Sequence, residues 1–188
     1  GDAPAQPIIF TKATTSVIGQ GEPVPAYPEL TGKLDYEAEL ALIIGNRCKD
    51  VSSADAMDQV FGYTCMNDVS QRNIQNSDRT GWYRGKSLDT FGPVGPQVVL
   101  ARDLPDPQNL NIYCRLNGTT VQEGNTRQMI FKIPEIIAFV SKNFTLVPGD
   151  IILTGTPAGV GPLNHGDTVE VDIEHIGVLK NPVVDETR

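Results

Sequence analysis

The sequence has few basic residues. It carries 15 lysine and arginine residues against 23 aspartate and glutamate residues, which gives a formal net charge of -8 and a pI near 4.7. Phosphate backbones and anionic membrane surfaces bind basic faces, so neither nucleic acid nor a membrane is expected as a partner. An anionic small molecule would also be repelled, unless a bound cation reversed the field at its site.

Cysteine and histidine are scarce as well. The three cysteines, Cys48, Cys65 and Cys114, are odd in number and far apart, which does not match a zinc ribbon or a redox dithiol. They are predicted to be reduced core thiols. The two histidines, His165 and His175, do not resemble a zinc pair and are predicted to be structural or exposed.

Long hydrophobic runs are absent. No apolar stretch is long enough to cross a bilayer, and residues 1–7 have neither the basic nor the apolar region of a signal peptide. A cytoplasmic location is therefore expected. A chain of 188 residues can bury a sizeable core but is short for two full domains, so we expect one domain over residues 1–188, with residues 1–6 as a flexible N-terminal tail.

Fourteen prolines and eighteen glycines divide the chain into short pieces, most of which alternate apolar and polar residues as strands do. The pattern predicts a β-rich α+β fold with strands over residues 8–12, 34–44, 62–68, 97–101, 111–116, 151–154 and 168–173. Helical periodicity appears only over residues 54–61 and 134–142. Residues 73–85 are predicted to form a loop, and Asn117-Gly118 is a strong hairpin signal.

Acidic residues form a distinctive pattern in residues 34–44. Alternation places Asp35, Glu37 and Glu39 on one face of the predicted strand, with apolar residues on the other. Neighbours two apart on a strand face are separated by about 6 to 7 Å, so such carboxylates repel each other but can converge on one ion. The residues after Glu39 are apolar on both faces, which indicates that the strand enters the core there.

The pattern alone leaves two interpretations open for these acids. Glu170, Asp172 and Glu174 repeat the spacing on a regularly alternating strand, where a solvated polar face is the expected outcome. Asp68 ends another apolar run and is either a further ligand or a turn cap or partner of Arg72. If these acids form a site, carboxylate oxygens favour Mg²⁺, Mn²⁺ or Ca²⁺ over zinc or copper.

Four motifs occur in order along the chain: LDYEAE at 34–39, NDVSQR at 67–72, GKSLDTFGP at 85–93 and LTGTPAGVG at 153–161. With them, the chain from Pro7 to Val184 resembles the fumarylacetoacetate hydrolase family. The resemblance implies a mixed β-sheet roll flanked by a few short helices, and a homodimer. Glu37, Glu39 and Asp68 match the family's magnesium or manganese ligands, and Lys86 matches the lysine beside the metal.

The resemblance also implies how a substrate is held. Arg72 and Gln75 match substrate-facing polar positions more loosely, and Thr154, Gly155 and Thr156 resemble the loop that holds the carboxylate or carbonyl end of the substrate. The implied substrate is a small 2-oxo acid. A metal that chelates it acts as a Lewis acid and stabilises an enolate, with Lys86 as a second positive charge near the developing oxyanion.

Hydrolytic cleavage of a carbon–carbon bond in an acylpyruvate or fumarylpyruvate is the leading expectation for the reaction. Isomerisation of a 2-hydroxyhepta-2,4-diene-1,7-dioate and decarboxylation of oxaloacetate are alternatives, and a non-catalytic metal-binding β module is an alternative of another class. Residues 81–87 are more similar to the bacterial branch of the family, which degrades aromatic compounds. Members usually carry an upstream segment with a histidine and a glutamate that supply the general base, and nothing like it precedes Pro7. Hydrolysis depends on such a base, so decarboxylation would be the reaction least affected by its absence.

Overall fold

The computed structural model describes residues 3–27, 30, 32–79 and 82–185. The strands are β1 (Val17–Ile18), β2 (Val24–Ala26), β3 (Leu34–Tyr36), β4 (Ala38–Ile44), β5 (Val60–Asn67), β6 (Ser70–Gln71), β7 (Gly92–Leu100), β8 (Asn111–Leu116), β9 (Thr119–Asn125), β10 (Ile151–Leu153), β11 (Gly161–Pro162), β12 (Thr168–Ile173) and β13 (Gly177–Asp185). The α-helices are α1 (Arg72–Ser77), α2 (Tyr83–Lys86) and α3 (Ile133–Asn143). Single 3₁₀ turns cover Thr14–Ser16, Met57–Gln59, Ala101–Asp103 and Thr126–Gln128.

The strands form three sheets. One five-stranded sheet has the order β1-β7-β5-β4-β10, the other has the order β2-β13-β12-β8-β9, and a short sheet has the order β11-β3-β6. Most neighbours are antiparallel, whereas the edge strands β1 and β2 run parallel to β7 and β13. The two five-stranded sheets are therefore mixed, and the short sheet is antiparallel.

The apolar core includes one face of each five-stranded sheet. On β12, Val169, Val171 and Ile173 are buried and the residues between them are half-buried, as the two-residue period of a strand requires. They belong to the same apolar cluster as Leu40 and Leu42 of β4. Helix α3 adds buried isoleucines to this cluster, so the few helices flank the sheets.

Glu37 is the single residue between β3 and β4, which belong to different sheets. Its N–H donates to the side-chain oxygen of Asn67 (2.9 Å), and its carbonyl accepts from the N–H of Asp68 (2.8 Å). The segment that pairs with β3 and β4 is interrupted at the same position, because β5 ends at Asn67 and β6 begins at Ser70. Two antiparallel segments thus pass together from one sheet to the other, which brings Glu37, Glu39 and Asp68 to this corner.

The predicted α+β, β-rich class is confirmed. The helix over residues 134–142 is found as α3, and the strands over residues 111–116 and 168–173 are β8 and β12. Asn117 and Gly118 join β8 to β9 with φ of 52° and 80°, the left-handed conformations of a tight hairpin turn. The strand predicted over residues 34–44 is interrupted at Glu37.

Three local predictions were wrong. Residues 8–12 form no strand; they lie against α2, where Lys12 contacts the carbonyl of Lys86. Residues 54–61 contain only one 3₁₀ turn, because β5 already begins at Val60. Residues 73–85 are not a plain loop, since α1 and α2 occupy most of the part that the structure describes. Helices this short depend on tertiary contacts, which no local pattern shows.

Other expectations concern the chain ends and the assembly. Residues 3–6 are exposed and lie in neither a helix nor a strand, while residues 1 and 2 lie outside the described residues. Within the described ranges, no helix combines the length and the apolar character needed to span a membrane. The single domain over residues 1–188 and the homodimer stay predictions.

Candidate metal centre

Three carboxylates converge at the corner between the sheets. One oxygen from each of Glu37, Glu39 and Asp68 lies within 4.8 Å of the other two. The exposed fractions of these residues are 7%, 3% and 0%. Glu37, just before β4, and Glu39, on β4, are two residues apart and lie on one side, and Asp68, just after β5, lies opposite them. Buried carboxylates at such distances need cations or protons nearby.

Two lysines supply part of the positive charge. The Nζ of Lys86 lies 2.7 Å from Glu37 and 2.6 Å from Asp68, and the whole residue is 2% exposed. Lys12 reaches the other oxygen of Asp68 at 2.7 Å and also donates to the main-chain carbonyl of Lys86. Asp68 therefore pairs with two lysines rather than with Arg72.

Arg72 neutralises the outer side of the cluster. Its guanidinium donates to Asp35 (2.9 Å), to Glu37 (2.7 Å) and to the side-chain oxygen of Gln75 (2.6 Å). Arg72 and Gln75 are thus hydrogen-bonded to each other on α1. Their role towards a substrate stays a prediction.

The predicted substrate loop follows β10 and passes directly over β4. The N–H of Gly155 donates to Glu39 (2.6 Å), and the hydroxyl of Thr154 donates to the Leu40 carbonyl (2.9 Å). The hydroxyl of Thr156 accepts from the side-chain amide of Gln122 (2.8 Å). Gly155 therefore contacts a carboxylate of the cluster, and Thr154 and Thr156 flank it along the loop. Contact of these three residues with a substrate stays a prediction.

Glu39 is the carboxylate with the least compensation. Burial, reinforced by the charges of Asp68 and Glu37, raises its pKa from 4.5 to about 8. The charge of Lys86 and the Gly155 N–H oppose this increase without cancelling it. In the described chain, Glu39 has no direct cationic partner.

Burial by itself would lower the pKa of both lysines, but the charged groups around the two lysines differ. Around Lys86, the charges of Asp68 and Glu37 outweigh burial, so the pKa is raised overall. Around Lys12, attraction to Asp68 is too weak to offset burial, and Lys86 adds repulsion, so the pKa is lowered. Lys86 is accordingly the more strongly held cation.

The raised pKa of Glu39 makes the metal-free protein pH-sensitive. Between 4.5 and about 8, folded Glu39 keeps a proton that the unfolded chain releases. Its contribution to the free energy of unfolding therefore falls as pH rises through this window. Urea titrations in EDTA at about pH 6 and about pH 8 should show a larger stability loss for the wild type than for Glu39→Gln, which cannot ionise. Equal losses would contradict this account.

The residues of this corner fit a divalent cation. Three carboxylate oxygens form a hard donor set suited to Mg²⁺, Mn²⁺ or Ca²⁺. Burial, together with the charges of Asp68 and Glu37, raises the pKa of Glu39, and a divalent cation would favour its ionised form. Within the described ranges, the cluster has four carboxylates and three cationic side chains, namely Asp35, Glu37, Glu39 and Asp68 with Lys12, Arg72 and Lys86. With all of these groups ionised, one negative charge remains.

The second acidic triplet behaves differently. Glu170 pairs with Lys180 (2.9 Å), Asp172 pairs with Arg115 (2.7 Å), and Glu174 is exposed. Glu170 and Asp172 thus pair with residues on neighbouring strands and only Glu174 is exposed, so these acids form a polar face and do not converge on one point. Identical spacing thus leads to different outcomes, depending on whether the strand ends at a buried corner.

The remaining sequence predictions for cysteine and histidine are also confirmed. Cys48, Cys65 and Cys114 are free and buried, and the side chains of His165 and His175 are 63% and 61% exposed.

Two site residues were missed by sequence reasoning. Lys12 lies 56 positions from Asp68 in a segment that was predicted to be a strand, and no local signal marks its contact. Gln122 follows the hairpin signal and is 1% exposed, and its only available cue was a polar residue at an inward position of β9.

Known proteins share this sequence and fold. The family described as "Fumarylacetoacetate (FAA) hydrolase C-terminal" matches residues 1–184. A Xenopus laevis protein named "Oxaloacetate tautomerase fahd2, mitochondrial" is 46% identical over 189 residues, which cover 96% of this chain and 59% of that protein.

Two solved structures are similar over nearly the whole chain. The 5-carboxymethyl-2-hydroxymuconate delta-isomerase from Mycobacterium smegmatis is 42% identical with a TM-score of 0.94, covering 100% of this chain and 73% of the other. The fumarylacetoacetate hydrolase from psychrophilic Exiguobacterium antarcticum is 41% identical with a TM-score of 0.91, covering 95% and 66%. This chain spans 59% to 73% of the length of these three relatives. Family match, identity and fold agree, and the chain belongs to the fumarylacetoacetate hydrolase family.

Proposed function

We propose that this chain is a divalent-metal-dependent enzyme that moves a proton within a small 2-oxo acid, by keto–enol or double-bond isomerisation. The observation that carries the proposal is the buried convergence of Glu37, Glu39 and Asp68 beside Lys86. The relatives support it, because their names describe a tautomerase, a delta-isomerase and a hydrolase. Each named substrate is a small carboxylic acid with a ketone or its enol, so a site that stabilises enolate charge would serve all three.

Each residue of the site has a separate task. A divalent ion held by Glu37, Glu39 and Asp68 would supply Lewis-acid assistance to the carbonyl group, and its charge would change the cluster from net negative to net positive. Lys86 holds a positive charge beside the oxygen on which negative charge develops. Thr156 has a hydrogen that no other described residue accepts, so its hydroxyl can donate to the carboxylate of the acid.

A chelator experiment with a substrate panel tests this proposal. Oxaloacetate, fumarylpyruvate and 5-carboxymethyl-2-hydroxymuconate would each be incubated with the chain in EDTA, then with added Mg²⁺ or Mn²⁺. We expect turnover of at least one acid to disappear with EDTA and to return with metal. Full turnover in excess EDTA would contradict the proposal.

Hydrolytic carbon–carbon cleavage is the second candidate, favoured by the hydrolase among the structural relatives. Both reactions need a proton acceptor: hydrolysis needs one within hydrogen-bond reach of the attacking water, and isomerisation needs one within reach of the carbon that loses its proton. Mass spectrometry of the same reactions separates the candidates, because isomerisation keeps the mass, hydrolysis adds water and splits the acid, and decarboxylation releases carbon dioxide.

The non-catalytic metal-binding module predicts another result in this panel. Mg²⁺ would raise the thermal stability of the chain while none of the acids was converted. Metal-dependent stability without turnover would therefore replace the enzyme proposal.

A further inference from the structure

Gln122 is a buried side chain that connects the two halves of the site. Its Oε1 accepts from the N–H of Ala38 (3.0 Å), and its Nε2 donates to the Thr156 hydroxyl and to the Pro157 carbonyl, both at 2.8 Å. Ala38 lies between the two glutamates of the acidic cluster. One amide group thus joins the strand that carries the carboxylates to the loop after β10.

Strand β4 has a gap in its ladder at this position. β10 pairs with β4 only as far as Leu153, opposite Ala41. Thr154 fills the next position, because its N–H (3.2 Å) and its hydroxyl (2.9 Å) both donate to the Leu40 carbonyl. Ala38 lies beyond the end of this pairing, and its N–H donates to the side chain of Gln122 and not to a backbone carbonyl of β10. The side chain of Gln122 therefore supplies the acceptor that a neighbouring strand would otherwise supply.

Strand β9 is shaped to present Gln122 there. Gln122 lies opposite Cys114 whereas Thr120 lies opposite Arg115, so Val121 is an extra residue that forms a bulge. The loop fits closely over this bulge. Gly159 has a φ of 102°, and a Cβ at that position would lie 2.4 Å from the Val121 carbonyl oxygen. The bulge of β9 and the loop after β10 are thus in close backbone contact.

The orientation of the amide also sets the orientation of the Thr156 hydroxyl. Since the N–H of Ala38 requires an acceptor, Oε1 must face it and Nε2 must face Thr156. An NH₂ group can only donate, so the Thr156 oxygen accepts and its own hydrogen remains available. Thr156 is thereby held as a donor.

We infer that Gln122 is a positioning residue that holds Thr156 as a hydrogen-bond donor at a set distance from the Glu37–Glu39 strand. The group it prepares to receive is the carboxylate of the bound acid. This inference rests on the proposed function and extends it to a residue that does not touch substrate.

Two substitutions at Gln122 test the inference. Gln122→Met keeps the size and removes the three hydrogen bonds, and Gln122→Glu offers the Thr156 hydroxyl an acceptor and so reverses its direction. The KM for oxaloacetate should rise by about tenfold or more in both variants, with a smaller change in kcat, because a buried polar partner is lost. Thr156→Val should raise KM in the wild type but not in the Gln122→Met background.

Asn181→Leu is the matched control. Asn181, on β13, is another amide that is 1% exposed, and it donates to the carbonyls of Gly19 and Glu22 in the loop between β1 and β2. This variant should lose stability without a change in KM. An equal rise in KM for Asn181→Leu and Gln122→Met would overturn the inference.

Hydrogen exchange provides a readout that needs no turnover. Amides in residues 154–160 should exchange faster in Gln122→Met than in the wild type, and at an unchanged rate in Asn181→Leu. Unchanged exchange in Gln122→Met would overturn the inference even if oxaloacetate is converted. Faster exchange together with no turnover of any acid would support the positioning role and reject the proposed function.

Discussion

The Glu39→Gln variant is expected to remain folded while it loses metal binding and about a thousandfold or more of the turnover. Lewis-acid assistance contributes several kcal/mol, and about 1.4 kcal/mol corresponds to a factor of ten in rate. Glu39 suits this test because its one hydrogen bond within the described chain comes from the Gly155 N–H, which a glutamine oxygen still accepts. Loss of its charge also relieves repulsion from Glu37 and Asp68, so metal-free stability at about pH 8 should increase.

Isothermal titration with Mg²⁺ or Mn²⁺ measures the binding, and urea denaturation in EDTA measures the stability. Glu170→Gln is the matched control, since Glu170 has the same two-residue spacing from Asp172 but pairs with the exposed Lys180. The control should keep wild-type metal affinity and turnover. If Glu39→Gln bound the metal as tightly as the wild type, the three-carboxylate site would be refuted.

The Lys86→Met variant is expected to lose at least about a hundredfold in kcat, the effect of removing one donor that faces a developing oxyanion. Lys86 also bridges Glu37 and Asp68 in a buried position, so its removal leaves two carboxylates with less compensation. Breaking such a pair typically costs about 3 to 5 kcal/mol of metal-free stability. A divalent ion would restore that charge, so Mg²⁺ should raise the Tm of this variant more than that of the wild type.

Thermal unfolding with and without Mg²⁺, together with kcat at saturating metal, checks both parts. Lys180→Met serves as the control, because Lys180 also pairs with a glutamate at 2.9 Å but its side chain is 56% exposed. Exposed pairs contribute about 1 kcal/mol or less, so kcat and Tm should hardly change. An unchanged kcat in Lys86→Met would exclude a catalytic role for Lys86.

The convergence of the carboxylates could be predicted where the signal was local. Alternation in residues 34–44 was enough to place Glu37 and Glu39 on one side of the chain, and the apolar run after Glu39 correctly indicated entry into the core. The interruption at Glu37 was not predicted. It arises because the side chain of Asn67, on another strand, replaces a backbone partner.

The positive half of the site was predicted less completely. The motif around Lys86 was recognised by family resemblance, although the short helix that carries it was assigned to a loop. Lys12 was missed because its partner Asp68 is distant in sequence, and its segment has no strand partner that would reveal its path.

The sequence by itself determined the strand-rich class, the hairpin at Asn117-Gly118, the inward face of β12 and the set of acidic side chains available to a hard cation. These features follow from side-chain periodicity and backbone preference, which act between near neighbours. Only the tertiary structure decided which acidic triplet converges, that Lys12 adds positive charge beside Asp68, and that Gln122 bridges the gap beside Ala38. Those outcomes depend on which distant strands meet at one buried corner, where unpaired charges and backbone groups must find partners whatever their separation along the chain.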